Sequence, residues 1–402
     1  MERLDRTAGL IESPAPIRAH AGARAVTAKK LVYVVNYLHP DDTQHFVHIL
    51  RLLDVLRDEH GWDVALLSER GGKGLRKVAG HSVRFLSDGG RVGRAVATLA
   101  ALARLRRQGH RLVFVRISQT GAILSCLAGR VLGLKVLYWQ SGAVHDLDAR
   151  KPPLQRLLFR LSQRFLVRAV DRWVSGPETM IDYYARELGV PPDKLLLLYN
   201  DVDIARFAPV PRAPDLARPL RVLLVHRFSP VRQTDLYLPA LVDRLNRAAE
   251  RLGPLELDLV GEGPELPRLR EIAAAASPQV RVRFHGAVPN ARIQEVYAEA
   301  DLFVMPSYRE GFPRVMIEAM AMGLPLVATD AGGSGDLVGP LQARYVVSRD
   351  DPEGFADRVA DLLADPAARK ALAEENLAHV RRYSTPVVAG MYDRALAELL
   401  PR

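Results

Sequence analysis

The sequence predicts an α/β protein made of two doubly wound domains that face each other across a cleft. Three observations carry this. The chain has 402 residues, more than one hydrophobic core usually serves. Short β-branched or apolar runs alternate with longer helical patterns in both halves, as parallel sheets covered by helices require. Midway, the stretch PVPRAPDLARP at residues 209–219 carries four prolines and no helical or strand period, which marks a linker.

The elements follow in order. Residues 1–28 hold Glu2, Asp5 and Glu12 without a central apolar run, resemble neither a secretory signal nor a transit peptide, and are expected to be a disordered extension. In residues 29–200 the runs LVYVVN, DVALL, RLVFVR, KVLYW and DRWVS read as strands of an N-terminal domain. A hinge is expected near residues 200–219. In residues 201–383 the runs RVLLVH, LELDLV, VRVRF, ADLFVM and LPLVAT read as strands of a second domain, and residues 384–402 as a helix crossing back to the first. Ligands of such folds bind outside the carboxyl ends of the strands. The long apolar stretch from Ile117 to Gly129 is interrupted by Arg130 and Lys135, short of the roughly 20 residues that span a bilayer. The single cysteine, Cys126, can form neither an internal disulfide nor a multi-thiolate metal site, which points to a cytosolic protein.

The net charge of +10 is uneven: residues 1–200 hold 31 Lys+Arg against 18 Asp+Glu, the rest 25 against 28. The first half therefore suits an anionic partner. One helical segment concentrates this charge. PPLQRLLFRLSQRFLVRAVDRW places Arg156, Arg160, Arg164, Arg168 and Arg172 four apart beside Leu157, Leu161 and Phe165. The stripe suits acidic lipid headgroups on the inner face of a membrane. The alternative is a solvated face whose apolar side packs on the sheet.

The most informative stretch is PSYREGFPRVMIEAMAMGLPLVATDAGG, residues 306–333. It reads as a strand end, a tight loop and a helix that opens at Pro313 and stops at Gly323. Glu310 then precedes a helix N-terminus, where the free amides around Gly311 to Val315, those of Gly311, Phe312, Arg314 and Val315 on either side of Pro313, together with the helix dipole, suit an anion. A carboxylate there would repel phosphate, so Glu310 is expected to accept hydrogen bonds from hydroxyls. Glu318 lies about one turn into the helix, at a distance that suits the far end of a diphosphate. Sugar, diphosphate and ribose fit that spacing. The competing reading is a capping glutamate followed by a solvated helical one.

The segment resembles the donor-site signature of family 4 retaining glycosyltransferases of the GT-B fold, in which two Rossmann-like domains face across a cleft. Similar stretches recur in order: GVPPDKLLLLYNDVDIARFAP (189–209), HRFSPVRQTD (226–235), LDLVGEGPELPRL (257–269) and VRFHGAVPNARIQEVYAEADLFVMPS (282–307). The resemblance implies that Glu310 binds donor-sugar hydroxyls, Glu318 the ribose diol, and Arg227 and Arg232 the diphosphate. It implies that Gly261 and Gly263 belong to the nucleotide pocket and that Ala287 and Val288 lie where backbone reads the base. It also implies a same-face displacement without a protein nucleophile, metal or cofactor, the leaving group being stabilised by fixed positive charge. His145 in WQSGAVHD matches the family's active-site histidine loosely and would position the sugar; otherwise it is a loop histidine satisfied by solvent or backbone.

The chain departs from the family in three places. Arg232-Gln233 stands where Lys-Gly is usual, which changes reach and geometry. Asp41 and Asp42 occupy roughly the place of a Gly-Gly, and Asp336 that of a Glu. The DVD at 201–203 and DLD at 146–148 have the look of a metal-binding Asp-x-Asp, but the first falls where the family has a structural hinge segment. Expected partners are a nucleotide-sugar donor and a glycan, lipid-linked or small-molecule acceptor. A nucleotide-sugar epimerase is the alternative. A phosphorylase would need a pyridoxal-bearing lysine in the second domain, where Lys370 stands alone. Nucleic-acid binding lacks interleaved basic and aromatic residues.

Overall fold

The computed structural model describes residues 29–38, 47–86, 89–142, 152–210 and 218–400. His145, Asp41, Asp42, the DLD motif, residues 1–28 and most of the proline-rich linker lie outside them. The first domain runs β1 (Lys30–Tyr37), α1 (Val47–Asp58), β2 (Asp63–Arg70), β3 (Gly74–Val78), β4 (His81–Phe85), α2 (Arg91–Arg107), β5 (Leu112–Arg116), α3 (Gln119–Leu132), β6 (Lys135–Trp139), α4 (Pro153–Ala169), β7 (Arg172–Ser175), α5 (Glu178–Leu188) and β8 (Leu195–Leu197). Its sheet has the order β3-β4-β2-β1-β5-β6-β7-β8, parallel except for the β3–β4 hairpin. Every residue of β5 is buried, because helices cover both faces of a central parallel strand and leave no solvated side.

The second domain runs β9 (Leu220–Val225), α6 (Thr234–Leu252), β10 (Leu255–Val260), α7 (Leu266–Ala273), β11 (Val280–Gly286), α8 (Ile293–Glu299), β12 (Leu302–Met305), α9 (Arg314–Ala321), β13 (Leu326–Thr329), β14 (Val346–Val347), α10 (Pro352–Ala364) and α11 (Pro366–His379). Its sheet order is β11-β10-β9-β12-β13-β14, and the recorded pairs are parallel. All ten runs read as strands are strands. The order reverses between β9 and β12, so the loops after these two strands emerge side by side at the carboxyl edge. That switch point is where a doubly wound sheet binds its ligand.

The last helix, α12 (Thr385–Ala397), packs on α1 of the first domain. Asp393 accepts hydrogen bonds from Lys29 Nζ and Trp62 Nε1, each at 2.7 Å. Tyr392 lies 5.6 Å from the Phe114 ring. Arg116, buried at the end of β5, donates to Tyr33 Oη at 3.2 Å and to Asn200 Oδ1 at the hinge, with its guanidinium 4.3 Å from the Trp139 ring. On the opposite face of the first sheet, α2, α3 and α4 pack in sequence. Four leucines of α4 face solvent there, Leu154, Leu157, Leu158 and Leu161. The apolar side of this helix is divided: Phe159, Phe165, Leu166 and Val167 pack on the core beneath, while the four leucines of its first half are left to solvent.

Candidate active site at the domain junction

The loop after β9 is His226–Gln233 and the loop after β12 is 306–313. Their backbones join where the Tyr308 amide donates to the Arg232 carbonyl at 2.8 Å. The sequence folds this way because His226 and Phe228 are buried anchors, which leave Arg227 exposed and Arg232 half-buried. The Arg232 guanidinium meets the carboxylate of Glu310, whose side chain is 6% exposed. Burial, with Arg227 nearby, pushes the Arg232 pKa down to about 10. Beside them Nε2 of His226 lies 2.7 Å from Thr234 Oγ1. Burial, and secondarily the charge of Arg232, hold this imidazole well below its usual range, so it is neutral.

Pro313 caps α9 in extended conformation, and the first-turn amides of such a helix lack intrahelical acceptors. Glu318 is buried, accepting from Tyr297 Oη at 3.1 Å and from Arg314 at 3.3 Å. The reading of Glu318 as a solvated helical residue is overturned. A carboxylate offers about four acceptor positions, so the two donors leave room for a ligand diol. Tyr297 came from no motif; only its position in the stretch 282–307 pointed near it.

Several expected site residues have other work in the structure. The Phe312 ring is buried against Tyr199 and Tyr383, ring centroids 6.1 and 5.9 Å away, and so anchors this loop in the hinge core. Gly261 (φ +135°) and Gly263 (φ +158°) are pressed against the carbonyls of His226 and Phe228. They bring the loop after β10 against the loop after β9, where a Cβ would collide. Ala287 is exposed and Val288 half-buried just beyond β11. Asp203 accepts from the amides of Ala205 at 3.1 Å and Arg206 at 3.3 Å, closing a turn. Asp201 is buried and accepts from Thr385 Oγ1 at 2.8 Å. No group of three or more potential metal ligands occurs among the described residues.

The first domain closes on this edge at three points. Gly311 abuts Ser141 and Gly142 at the end of β6, and Gly333 abuts Pro177. Asp336 accepts from the Thr179 amide at 2.8 Å and its hydroxyl at 3.0 Å, capping α5 from the other domain. The floor on that side holds Glu69, buried and hydrogen-bonded by Ser118, which in turn accepts from the Gly121 amide at 3.0 Å. Sequence reasoning missed Glu69, Arg116 and Asn200, since nothing local announces partners so far apart in the chain.

Two family models match the chain in tandem, Glycosyltransferase Family 4 over residues 46–206 and Glycosyl transferases group 1 over 214–378. Among curated relatives, the D-inositol 3-phosphate glycosyltransferase 2 of Catenulispora acidiphila is 30% identical over 253 residues, 58% of this chain and 58% of that protein. The corresponding protein of Rhodococcus jostii is 29% identical over 60% of this chain and 54% of its own. The matches thus span little more than half the length of these relatives. Among solved structures, the sucrose-phosphate synthase of Thermosynechococcus elongatus has a TM-score of 0.75 at 18% identity, covering 92% of this chain and 99% of that one. Anabaena HepE with UDP-glucose has a TM-score of 0.70 at 17% identity, covering 92% and 100%. These likenesses establish the GT-B fold.

Proposed function

Because the chain belongs to glycosyltransferase family 4, we propose that it moves a hexose, with retention of configuration, from a nucleoside diphosphate sugar to a hydroxyl of a glycan, lipid-linked or small-molecule acceptor. The observation that supports this best is the pairing of Arg232 with buried Glu310 at the switch point, beside the open end of α9 and against Ser141–Gly142 of the other domain. Positive charge and helix amides await the diphosphate, while a carboxylate awaits sugar hydroxyls. The named ligand of HepE, UDP-glucose, is a donor of this class. Glu318 takes the ribose diol. The bond between the anomeric carbon and the diphosphate oxygen breaks as the acceptor oxygen bonds on the same face, and the acceptor proton passes to the departing phosphate.

Arg227, Arg232 and the α9 N-terminus supply the charge that a metal would, so the reaction proceeds without one. The test is a panel of nucleotide sugars with excess chelator, read by release of nucleoside diphosphate and by NMR of the product's anomeric configuration. Release with an axial product from an axial donor is expected. An isomerised nucleotide sugar, an inverted product, or activity abolished by chelator and restored by manganese would overturn the reading.

A further inference from the structure

We propose that the outer face of α2, α3 and α4 is a docking surface for an anionic phospholipid bilayer, placing the acceptor half of the cleft beside the membrane. It goes beyond the transfer reaction and is tested without it. Four exposed leucines of α4, at positions 154, 157, 158 and 161, are 50% to 68% exposed. Their spacing, i, i+3, i+4 and i+7, is that of a buried helix stripe, yet it faces solvent. On α2 the exposed residues Val92, Val96 and Leu99 repeat the pattern, and on α3 Leu127 and Val131 do so over one turn. A soluble face has no use for three such stripes side by side.

The three helices are fixed as one surface. Arg106 Nε donates to the Leu132 carbonyl at 2.7 Å, tying α2 to α3. The guanidinium of Arg130 lies 5.2 Å from the Phe165 ring, tying α3 to α4. Together they carry ten arginines and no aspartate or glutamate. That charge is complementary to acidic headgroups, and the aliphatic side chains reach the acyl boundary beneath them. A nucleic acid would use the arginines and leave the leucines wet. No described helix is long and apolar enough to cross a membrane, so attachment is along the surface. Helices that follow parallel strands start at the strands' carboxyl edge, so the leucine-bearing half of α4 lies toward the cleft.

The experiment is flotation of the full chain with phosphatidylcholine vesicles of rising phosphatidylglycerol content, at low and physiological salt. Two variants are compared, Leu154→Gln/Leu157→Gln/Leu158→Gln/Leu161→Gln and Arg160→Gln/Arg164→Gln/Arg168→Gln. The parent should bind in proportion to anionic lipid and salt should weaken it. The arginine variant should lose on the order of 100-fold in vesicle affinity, and the leucine variant should lose binding at physiological salt. Both should retain the parent's melting curve and affinity for free nucleoside diphosphate, which separates this surface from the donor site. Absence of vesicle binding by the parent overturns the proposal. So does binding that survives both variants, or oligonucleotide binding or self-association through this face in place of vesicle binding.

Discussion

Glu310 and Glu318, eight residues apart, sit in different surroundings, and the roles proposed for them differ accordingly. Glu310 faces the Arg232 guanidinium, whereas Glu318 is locked by Tyr297 and Arg314. Replacing Glu318 by Ala should weaken free nucleoside diphosphate by about 1–3 kcal/mol, the cost of a lost buried hydrogen bond. Glu310→Gln should spare that affinity in calorimetry and lower turnover. Equal losses of affinity would contradict the division of roles. His226 supplies a pH dependence. Its folded pKa lies below its unfolded value of 6.5, so the unfolded chain binds the extra proton and stability falls as pH drops through 6.5, by about 1.4 kcal/mol per pH unit below it. His110 and His379 are lowered by burial too and add with the same sign. Urea melts between pH 7.5 and 5.5 should show a smaller loss in His226→Gln than in the parent. The glutamates were legible in the sequence because they share one loop and helix. The partners of Arg116 and Asp336 were not, since Asn200 is 84 residues from one and Thr179 is 157 from the other.

At the scale of elements, apolar runs buried on both faces announced the central strands. What stayed hidden has weak local signals. The β3–β4 hairpin is largely polar, GLRKV and HSVRF, and turns on Ala79 and Gly80, both at positive φ, where Asn-Gly is the familiar mark. Strands β8 and β14 have three and two residues, too few for a period. Helix α12 is held to the first domain through Asp393, whose loss leaves the buried Trp62 indole without its acceptor. Asp393→Ala should therefore cost about 1–3 kcal/mol in a denaturant melt, while Asp393→Asn, which keeps an acceptor, should cost less.

Across the whole molecule, small residues and one cap join the two domains at the cleft edge. Asp336 holds the start of α5 by two hydrogen bonds, and Gly311 and Gly333 let backbones meet. Asp336→Ala should loosen closure, raising the apparent donor KM and widening the distance between fluorophores placed on the two domains, with the melting curve of each domain little changed. Gly333→Ala should act in the same direction more strongly, because its Cβ would strike the Pro177 ring. An unchanged interdomain distance in both variants would show that closure does not depend on these contacts.

The return of α12 to α1 also sets an order of events during synthesis. The first domain's strands are complete once Leu197 has been made, yet the helix that covers Tyr33, Phe114 and the α1 face ends at Ala397. At roughly 5–20 residues per second, a ribosome needs on the order of 10–40 s to deliver it. Throughout that interval the nascent domain lacks the helix that covers this apolar face. Residues 29–200 expressed alone should bind a hydrophobic dye and aggregate, and a peptide of residues 384–400 supplied in trans should suppress both. This helix is thus a clasp that withholds the finished first domain until residue 397 has been made.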